Sequence, residues 1–266
     1  MNIAVCVKEV PSATSAKRLD PSTNRLDRSG DSELNPFDVH GLEEAIKLRE
    51  AGHEVEEIVA VCMGRENAQR PLQKALALGA DRVVLLTDPA LAGSDISGTA
   101  YALATVLEGQ NADLVILGQQ ASDADCYVMA AAVADHLRRP LVTQVASLSL
   151  EDGTLRAKRQ TEHGYDVIAA PLPAVVSVSD AINTPRLPSI KAIMGAKKKP
   201  TDQVSAADAG IDPSRVGEAG AQSVVRGVSP PPAVFLASSI SVTAMRISAR
   251  DLRSGASSRA CFSAVP

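Results

Sequence analysis

Residues 113–138 read DLVILGQQASDADCYVMAAAVADHLR, and the fold class can be inferred from this stretch alone. The apolar run at 113–117 is short and continuous, which is typical of a strand covered on both faces. After the polar turn at 118–125, residues 126–138 carry apolar side chains at helical spacing, and Pro140 ends the helix. A buried strand followed by a turn and an amphipathic helix indicates an α/β fold.

The same alternation continues through the first two thirds of the chain. Further strands are predicted at residues 2–8, 57–63, 82–86, 141–145 and 173–178, with helical patterns between most of them. Parallel strands that are joined by crossovers of helix length form right-handed βαβ units. We therefore predict an α/β fold with a doubly wound, mostly parallel sheet and helices on both faces.

The pattern changes after residue 145. Residues 147–150 and 154–160 flank the turn Glu151-Asp152-Gly153 and predict a β-hairpin. The chain then divides into an α/β domain at 1–182 with a hairpin insertion near 147–170, a turn-rich loop and basic segment at 183–200, an extended arm at 201–232, and an atypical tail at 233–266. The composition changes again in the tail, and we expect that it is disordered or that its sequence has diverged, for instance through a change of reading frame.

Composition and charge exclude several classes of protein. The chain has 266 residues, 45% of them hydrophobic, and a net charge of −4, so a sizeable core is expected and nucleic acid is excluded as the main partner. No apolar stretch is long enough to span a bilayer, and the N-terminus reads as a strand rather than a signal peptide. The four cysteines lack metal-ligand spacing. We expect a cytoplasmic protein with reduced thiols, no metal and no membrane insertion.

The turn at 118–125 is the strongest candidate for a ligand site. Ligands of doubly wound sheets bind outside the carboxyl ends of the strands. Gly118 would let the backbone approach a ligand, Ser122 offers a hydroxyl, and the following helix start offers N–H groups to a phosphate. Asp123 and Asp125 could accept from a ribose or cap the helix. The spacing fits a ligand-free helix cap equally well. If a phosphate binds, we expect Gly118→Val to expel the nucleotide without abolishing the fold.

A second informative helix start lies at residues 35–38. Asn35 is a good N-cap residue, Pro36 suits the first helical position, and Asp38 supplies a carboxylate to the first turn. The histidines are scattered, and the sequence contains no Ser-His-Asp order, paired carboxylates or Gly-rich dinucleotide fingerprint. The residues therefore predict a binding site without catalytic groups, and not an enzyme on its own.

Four blocks of sequence occur together in a fixed order. They are residues 4–11 (AVCVKEVP), 35–38 (NPFD), 117–125 (LGQQASDAD) and 185–199 (PRLPSIKAIMGAKKK), with a further signature at 157–177. Over residues 1–232 the chain resembles the β subunits of electron transfer flavoproteins, including their nitrogen-fixation homologues. The tail at 233–266 does not resemble the acidic arm in which this family ends.

The resemblance implies a fold like that of the adenine-nucleotide α-hydrolases. It also implies a structural AMP bound by this subunit and an FAD bound mainly by an α subunit. By position, the resemblance assigns the following residues to cofactor binding: Cys6, Asn35, Pro36, Phe37, Asp38, Met63, Gly118, Gln119, Gln120, Ala121, Ser122, Asp123, Ala124, Asp125, Cys126, Tyr127, Val128 and Met129.

The resemblance further implies a segment that docks partner proteins, formed by Pro188, Ile190, Ile193, Met194, Lys197, Lys198 and Lys199. The partners of the chain would be the α subunit in a heterodimer, flavin dehydrogenases such as acyl-CoA dehydrogenases, and a quinone-linked electron transfer flavoprotein oxidoreductase. Two alternatives stay open: a bifurcating subunit that holds a second FAD, and a nucleotide-sensing regulatory homodimer on a similar scaffold.

Overall fold

The computed structural model describes residues 1–15 and 17–228, and the tail at 233–266 lies outside these residues. The strands are β1 Asn2–Cys6, β2 Glu9–Pro11, β3 Leu19–Asp20, β4 Arg25–Leu26, β5 Ser32–Leu34, β6 Glu57–Met63, β7 Arg82–Leu86, β8 Leu114–Gly118, β9 Leu141–Glu151, β10 Thr154–Thr161, β11 Gly164–Pro171, β12 Ala174–Val178 and β13 Thr201–Val204. The α-helices are α1 Pro36–Glu50, α2 Gln69–Leu78, α3 Ile96–Glu108, α4 Met129–Leu137, α5 Ile190–Ala196 and α6 Gly217–Gly220.

Nine strands form one sheet in the order β11-β10-β9-β12-β8-β1-β6-β7-β13. The pairs from β9–β12 through to β7–β13 are parallel, while β9, β10 and β11 pair antiparallel at one edge. The chain runs from β1 outward to β6 and β7, and returns to β8 on the other side of β1. The predicted doubly wound α/β fold is confirmed, and its topological switch point lies between β1 and β8.

Two hydrophobic cores cover the two faces of the sheet. Alternate side chains of β1 divide between them, with Ile3 and Val5 in one core and Ala4 and Cys6 in the other. Helices α1 and α2 pack in the first core, and α3 and α4 pack in the second. The central strands are continuous apolar runs because both of their faces are buried.

Some predicted boundaries differ from those in the structure. The predicted strand at 141–145 and the first half of the hairpin form one long strand, β9, in which Gln144 has a left-handed backbone with φ 52°. The predicted helix at 126–138 begins only at Met129. Asp125 has a left-handed backbone with φ 45°, and a short turn at Tyr127 and Val128 precedes the helix. Cys126 therefore precedes the helix and does not belong to its first turn.

The segment that follows α5 contains more regular structure than an extended arm. Thr201–Val204 adds as a parallel edge strand to β7. Beyond it, Ile211 and Val216 are buried in the second core. Among the residues that the structure describes, no helix is both long and apolar enough to cross a membrane.

Candidate functional site

A cavity of about 460 Å³ opens at the switch point, between the carboxyl ends of β1 and β8 and the starts of α1 and α3. Its volume is typical of a small-molecule site. The predicted site residues that line it are Cys6, Asn35, Asp38, Met63, Gly118, Gln120, Ala121, Ala124, Cys126 and Met129. The sequence therefore located the wall formed by β1, α1 and the loop that follows β8.

The other residues predicted at the cofactor do not line this cavity. They are Pro36, Phe37, Gln119, Ser122, Asp123, Asp125, Tyr127 and Val128. Tyr127 and Val128 are exposed on the outer surface of the loop. A contiguous stretch of loop sequence cannot all face one cavity, because successive side chains point in different directions.

One wall of the cavity is missing from the sequence-based prediction. It consists of Ser94, Asp95, Ile96, Thr99 and Leu103, at the start of α3. Asp95 caps this helix, its Oδ1 accepting from the backbone N–H of Gly98 at 3.0 Å. An aspartate just before an apolar helical pattern is a helix-start signal, so this wall could have been found from the sequence. Thr99 and Leu103 then follow at helical spacing of i and i+4.

Asn35 joins the start of α1 to the loop that follows β8. Its Nδ2 donates to Asp38 Oδ1 and to the carbonyl oxygen of Gln120, both at 2.8 Å. Its Oδ1 accepts from the backbone N–H of Ser122 at 3.1 Å. Asn35 occupies the N-cap position of α1 as predicted, but its side chain makes no capping hydrogen bond to the backbone of the helix. Asn35 instead holds two separate segments of the cavity wall together, which fixes the shape of the wall.

Asp38 is a buried carboxyl group on the cavity wall. Its Oδ2 accepts from the backbone N–H of Lys8 at 2.7 Å, and its Oδ1 accepts from Asn35. Burial raises the pKa of Asp38 to about 7, although hydrogen bonds from Asn35 and Lys8 work in the opposite direction. Near neutral pH a large fraction of this carboxyl group is therefore uncharged, which reduces its repulsion of an anionic ligand.

Gly118 permits a close approach between β8 and α1. A Cβ atom at this position would lie 2.5 Å from Asp38 Oδ1 and 2.8 Å from the carbonyl carbon of Phe37. Both atoms belong to the tightly packed first turn of α1, which has little room to move. The glycine is therefore required by packing within the protein, whether or not a ligand is bound.

Asp123 stabilises the loop that follows β8 through ion pairs. Its side chain is 1% exposed, and it pairs with Lys8 Nζ at 2.7 Å and with the guanidinium of Arg28. Burial alone would raise the pKa of Asp123, but Lys8 and Arg28 outweigh it and hold the pKa below its ordinary value. Its two ion-pair partners come from the segment after β1 and from the connection between β4 and β5. The carboxylate is therefore occupied by the protein's own cations.

Gln120 lines the cavity with an unused acceptor. Its side-chain Oε1 is buried and accepts no hydrogen bond from the residues that the structure describes. A buried carbonyl oxygen without a donor costs free energy, and native proteins rarely leave one unsatisfied. A ligand with an N–H or O–H group would satisfy it once the side-chain amide rotates to expose this oxygen to the cavity.

The described cysteines are free thiols. Cys6 and Cys62 are buried, and burial raises the pKa of Cys62 to about 12 and that of Cys6 higher still. Cys6 lines the cavity as a neutral, apolar group. Cys126 also lines it but is half-buried, so solvent can reach it. Within the described ranges, no group of three His, Cys, Asp or Glu residues could hold a metal ion.

A second cavity, of about 340 Å³, lies beside β2 and β5. Two of its arginines are already neutralised, since Arg65 pairs with Glu9 at 2.9 Å and Arg28 pairs with Asp123. Its walls also carry the carboxylates of Asp27 and Asp31. The cavity at the switch point, with its apolar walls and unused acceptor, is therefore the better candidate for a small ligand.

A different kind of surface lies at α5. Apolar side chains are exposed there, with Leu187 at 93%, Ile190 at 79% and Met194 at 67%, and Ile193 is also exposed. Ser189 caps the helix, its Oγ accepting from the backbone N–H of Ala192 at 3.1 Å. Leu187 was not among the predicted docking residues, although it is the most exposed. We call residues 187–198 the docking segment.

The three predicted docking lysines do not have the same surroundings. Lys197 and Lys198 are exposed. Lys199 Nζ instead donates to the carbonyl oxygens of Leu76 at 3.0 Å and Ala80 at 2.7 Å, at the end of α2. Lysine commonly binds the last carbonyl groups of a helix in this way. Lys199 therefore attaches the docking segment to α2, while Lys197 and Lys198 remain available to a partner.

Comparison with known proteins finds similarity over most of the chain. The family model described as "Electron transfer flavoprotein domain" matches residues 23–209. A protein of Mycobacterium tuberculosis (strain ATCC 25618 / H37Rv), named electron transfer flavoprotein subunit beta, is 38% identical over 237 residues, which cover 87% of this chain and 89% of the relative.

Two relatives from other bacteria are similar over the same extent. A protein of the same name from Thermoanaerobacterium thermosaccharolyticum is 39% identical over 234 residues, covering 87% of this chain and 88% of the relative. A protein of Acetobacterium woodii, named caffeyl-CoA reductase-Etf complex subunit CarD, is 36% identical over 234 residues with the same coverage.

Proposed function

This chain belongs to the family of electron transfer flavoprotein β subunits, and from that premise we propose that it binds AMP in the switch-point cavity and docks flavin dehydrogenases through α5. It does so as one half of a heterodimer with an α subunit. FAD, bound mainly by that α subunit, supplies the redox chemistry. The β subunit itself contributes ligand binding and partner recognition, and none of its side chains acts as an acid or base.

The observation that carries the nucleotide proposal is the unsatisfied Oε1 of Gln120 in the cavity wall. An exocyclic amine of adenine or a ribose hydroxyl can donate to it. Cys6, Met63 and Leu103 offer an apolar surface on which a base can lie. At the other wall, the first turn of α3 has backbone N–H groups besides the one that Asp95 caps, and the hydroxyl of Thr99 lies beside them, which suits a phosphate.

The docking proposal rests on the exposed apolar side chains of α5 and the exposed Lys197 and Lys198 beside them. A small apolar anchor with a basic rim suits a brief, electrostatically steered encounter with an acidic partner. One relative is named as a subunit of a caffeyl-CoA reductase-Etf complex. The name supports enzymes that act on acyl-CoA esters as the class of partner. Within that class we propose acyl-CoA dehydrogenases as the electron donors, and a quinone-linked oxidoreductase as the electron acceptor.

The test is to co-express the chain with its α subunit, purify through a tag on this chain, and quantify the nucleotides released by denaturation. We expect one FAD and one AMP per heterodimer. Two FAD and no AMP would identify the bifurcating alternative. A flavin-free homodimer would favour the nucleotide-sensing regulator.

A pair of variants shows whether the AMP comes from the proposed cavity. Thr99→Phe fills the cavity from α3, whereas Ser97→Phe adds the same side chain two residues away, at a position that does not line it. Thr99→Phe should lose AMP and keep FAD, and Ser97→Phe should keep both. Retention of AMP by a folded Thr99→Phe heterodimer would contradict binding in this cavity.

A further inference from the structure

The docking segment is attached to the rest of the protein in different ways at its two ends. At the C-terminal end, Ala196 is buried against the first core, and Lys199 donates to the carbonyl groups at the end of α2. At the N-terminal end, Leu187 and Ile190 extend into solvent. The strongest side-chain attachment at that end is Arg186, immediately before Leu187.

Arg186 is bound by two carboxylates of α1. Its Nε and Nη2 donate to Glu43, the shortest distance to each carboxylate oxygen being 2.9 Å, and its backbone N–H donates to Glu43 Oε2 at 3.1 Å. Its Nη1 and Nη2 also donate to Glu50, at 2.6 and 2.8 Å. The guanidinium thus forms two bidentate pairs, the geometry that fixes an arginine most firmly. We call Arg186, Glu43 and Glu50 the clamp.

The ion pairs of the clamp keep Arg186 and Glu50 in their charged forms. The hydrogen bonds that Arg186 donates to Glu50 and Glu43 raise the pKa of Arg186 above its ordinary value, and they lower the pKa of Glu50. The side chain of Glu43 is only 7% exposed, whereas that of Glu50 is 56% exposed. Glu43 is therefore the member of the clamp that a docking partner cannot reach.

The arginine has little capacity left for a partner. All three of its guanidinium nitrogens donate within the clamp. Lys197 and Lys198, in contrast, are free to meet an acidic surface. Between Arg186 and α5 lie only Leu187, Pro188 and Ser189, and the proline restricts the backbone of this connection. An arginine fixed on α1 therefore also fixes the position at which α5 begins.

We propose that Arg186 is a positioning residue for partner docking: through Glu43 and Glu50 it holds the N-terminal end of α5 in the pose that a partner dehydrogenase recognises. The inference rests on the proposed docking function of α5. Loss of the clamp leaves the apolar side chains present but variably oriented. Binding of the partner must then order them, and this loss of conformational entropy weakens the binding free energy. The affinity for the partner falls, while electron transfer in the formed complex is unaffected.

The experiment uses the purified heterodimer with its FAD as the electron acceptor of an acyl-CoA dehydrogenase, at varied heterodimer concentration. We expect Arg186→Ala to raise KM about tenfold, a size typical of strongly coupled residues, with kcat unchanged. Glu43→Gln should raise KM by a similar factor, and the double variant should be no worse than either single variant. Arg186→Lys should recover only part of the loss, since lysine cannot form the bidentate pairs.

The double-mutant cycle separates positioning from direct contact. If the effects of Arg186→Ala and Glu43→Gln multiply, Arg186 contacts the partner itself and the proposal is overturned. An unchanged KM in Arg186→Ala overturns it as well. Should Glu43→Gln fail to fold, Glu50→Gln takes its place, because Glu50 is largely exposed and its loss leaves the core intact.

One control distinguishes failure of this inference from failure of the proposed function. Ile190→Ala removes the exposed anchor and leaves the clamp untouched, while Ile190→Leu preserves its volume. If Ile190→Ala raises KM and Arg186→Ala does not, the clamp has no positioning role but docking through α5 stands. If neither variant changes KM, docking through α5 is itself wrong.

Discussion

The two ends of α1 support different surfaces by different means. At its N-terminal end, Asn35 and Asp38 form a buried hydrogen-bonded network on the wall of the cavity. Towards its C-terminal end, Glu43 and Glu50 hold Arg186, and beyond Arg186 the apolar side chains of α5 are exposed to solvent. One end presents a concave and rigid wall, and the other presents a convex apolar helix.

The difference suits the two kinds of ligand that we propose. A small molecule binds best in a preformed cavity whose polar groups are already oriented, because little conformational entropy is then lost when the side chains around it become ordered. A large partner that must also leave again is better served by a few exposed anchors with a charged rim. Exposed apolar patches cost solubility, so their presence at α5 indicates a surface that is covered during function.

The largest expected difference between the cavity wall and the docking segment is the change in stability when a glycine is replaced by valine. Gly118→Val should destabilise the protein by about 4 kcal/mol or more, because the new side chain overlaps Asp38 and the backbone of Phe37. The milder expectation from the sequence, loss of nucleotide with the fold retained, does not account for this overlap. Urea denaturation of the purified chain measures the change.

The matched substitution in the docking segment is Gly195→Val. No atom lies within 4 Å of a Cβ added at Gly195, so we expect a change within about 0.5 kcal/mol. Equal destabilisation by the two substitutions would contradict the view that only the cavity end is tightly packed.

A second, smaller effect concerns the dependence of stability on pH. Burial raises the pKa of Asp38 from 3.8 to about 7, so the folded protein binds a proton that the unfolded chain releases in this range. The contribution of Asp38 to the free energy of unfolding is therefore complete below the ordinary carboxyl pKa, and it is lost as the pH rises towards 7. The slope is at most about 1.4 kcal/mol per pH unit. Asp38→Asn should remove it in urea titrations across this range.

The clamp supplies the opposite slope for comparison. Hydrogen bonds from Arg186 lower the pKa of Glu50. The contribution of Glu50 to the free energy of unfolding is therefore present above the ordinary glutamate pKa and is lost as the pH falls. Glu50→Gln should therefore flatten the acidic part of the profile and leave the range from 5 to 7 unchanged. If Asp38→Asn leaves the slope below pH 7 as it is in the wild type, Asp38 is ionised in the folded protein and our description of the cavity wall is wrong.

Much of the fold could be predicted from the sequence because the information is local. The strands Glu57–Met63 and Arg82–Leu86 are bounded as predicted, since continuous apolar runs between polar residues define them. The edge strand Thr201–Val204 was not predicted. It is polar and mostly exposed, and it is held by backbone pairing with β7, which leaves no hydrophobic pattern.

The candidate site divides in the same way. The start of α3 could have been identified from Asp95, because a helix cap is a local signal. The bond from Asn35 to the loop that follows β8 could not, since the Gln120 carbonyl that it binds lies 85 residues away. Nor could the ion pairs of Asp123, which depend on how the segment between β4 and β5 folds back. Non-local partners become visible only in the folded structure.

The most direct test of the central claim, that the switch-point cavity binds AMP, is the alkylation of Cys126 by iodoacetamide in the nucleotide-free heterodimer, mapped by peptide mass spectrometry with and without AMP. Cys126 is half-buried on the cavity wall, while Cys6 and Cys62 are buried with raised pKa values. We predict that AMP slows the reaction of Cys126 saturably and that Cys6 and Cys62 stay unmodified throughout. A Cys126 rate that saturating AMP leaves unchanged would contradict binding in this cavity.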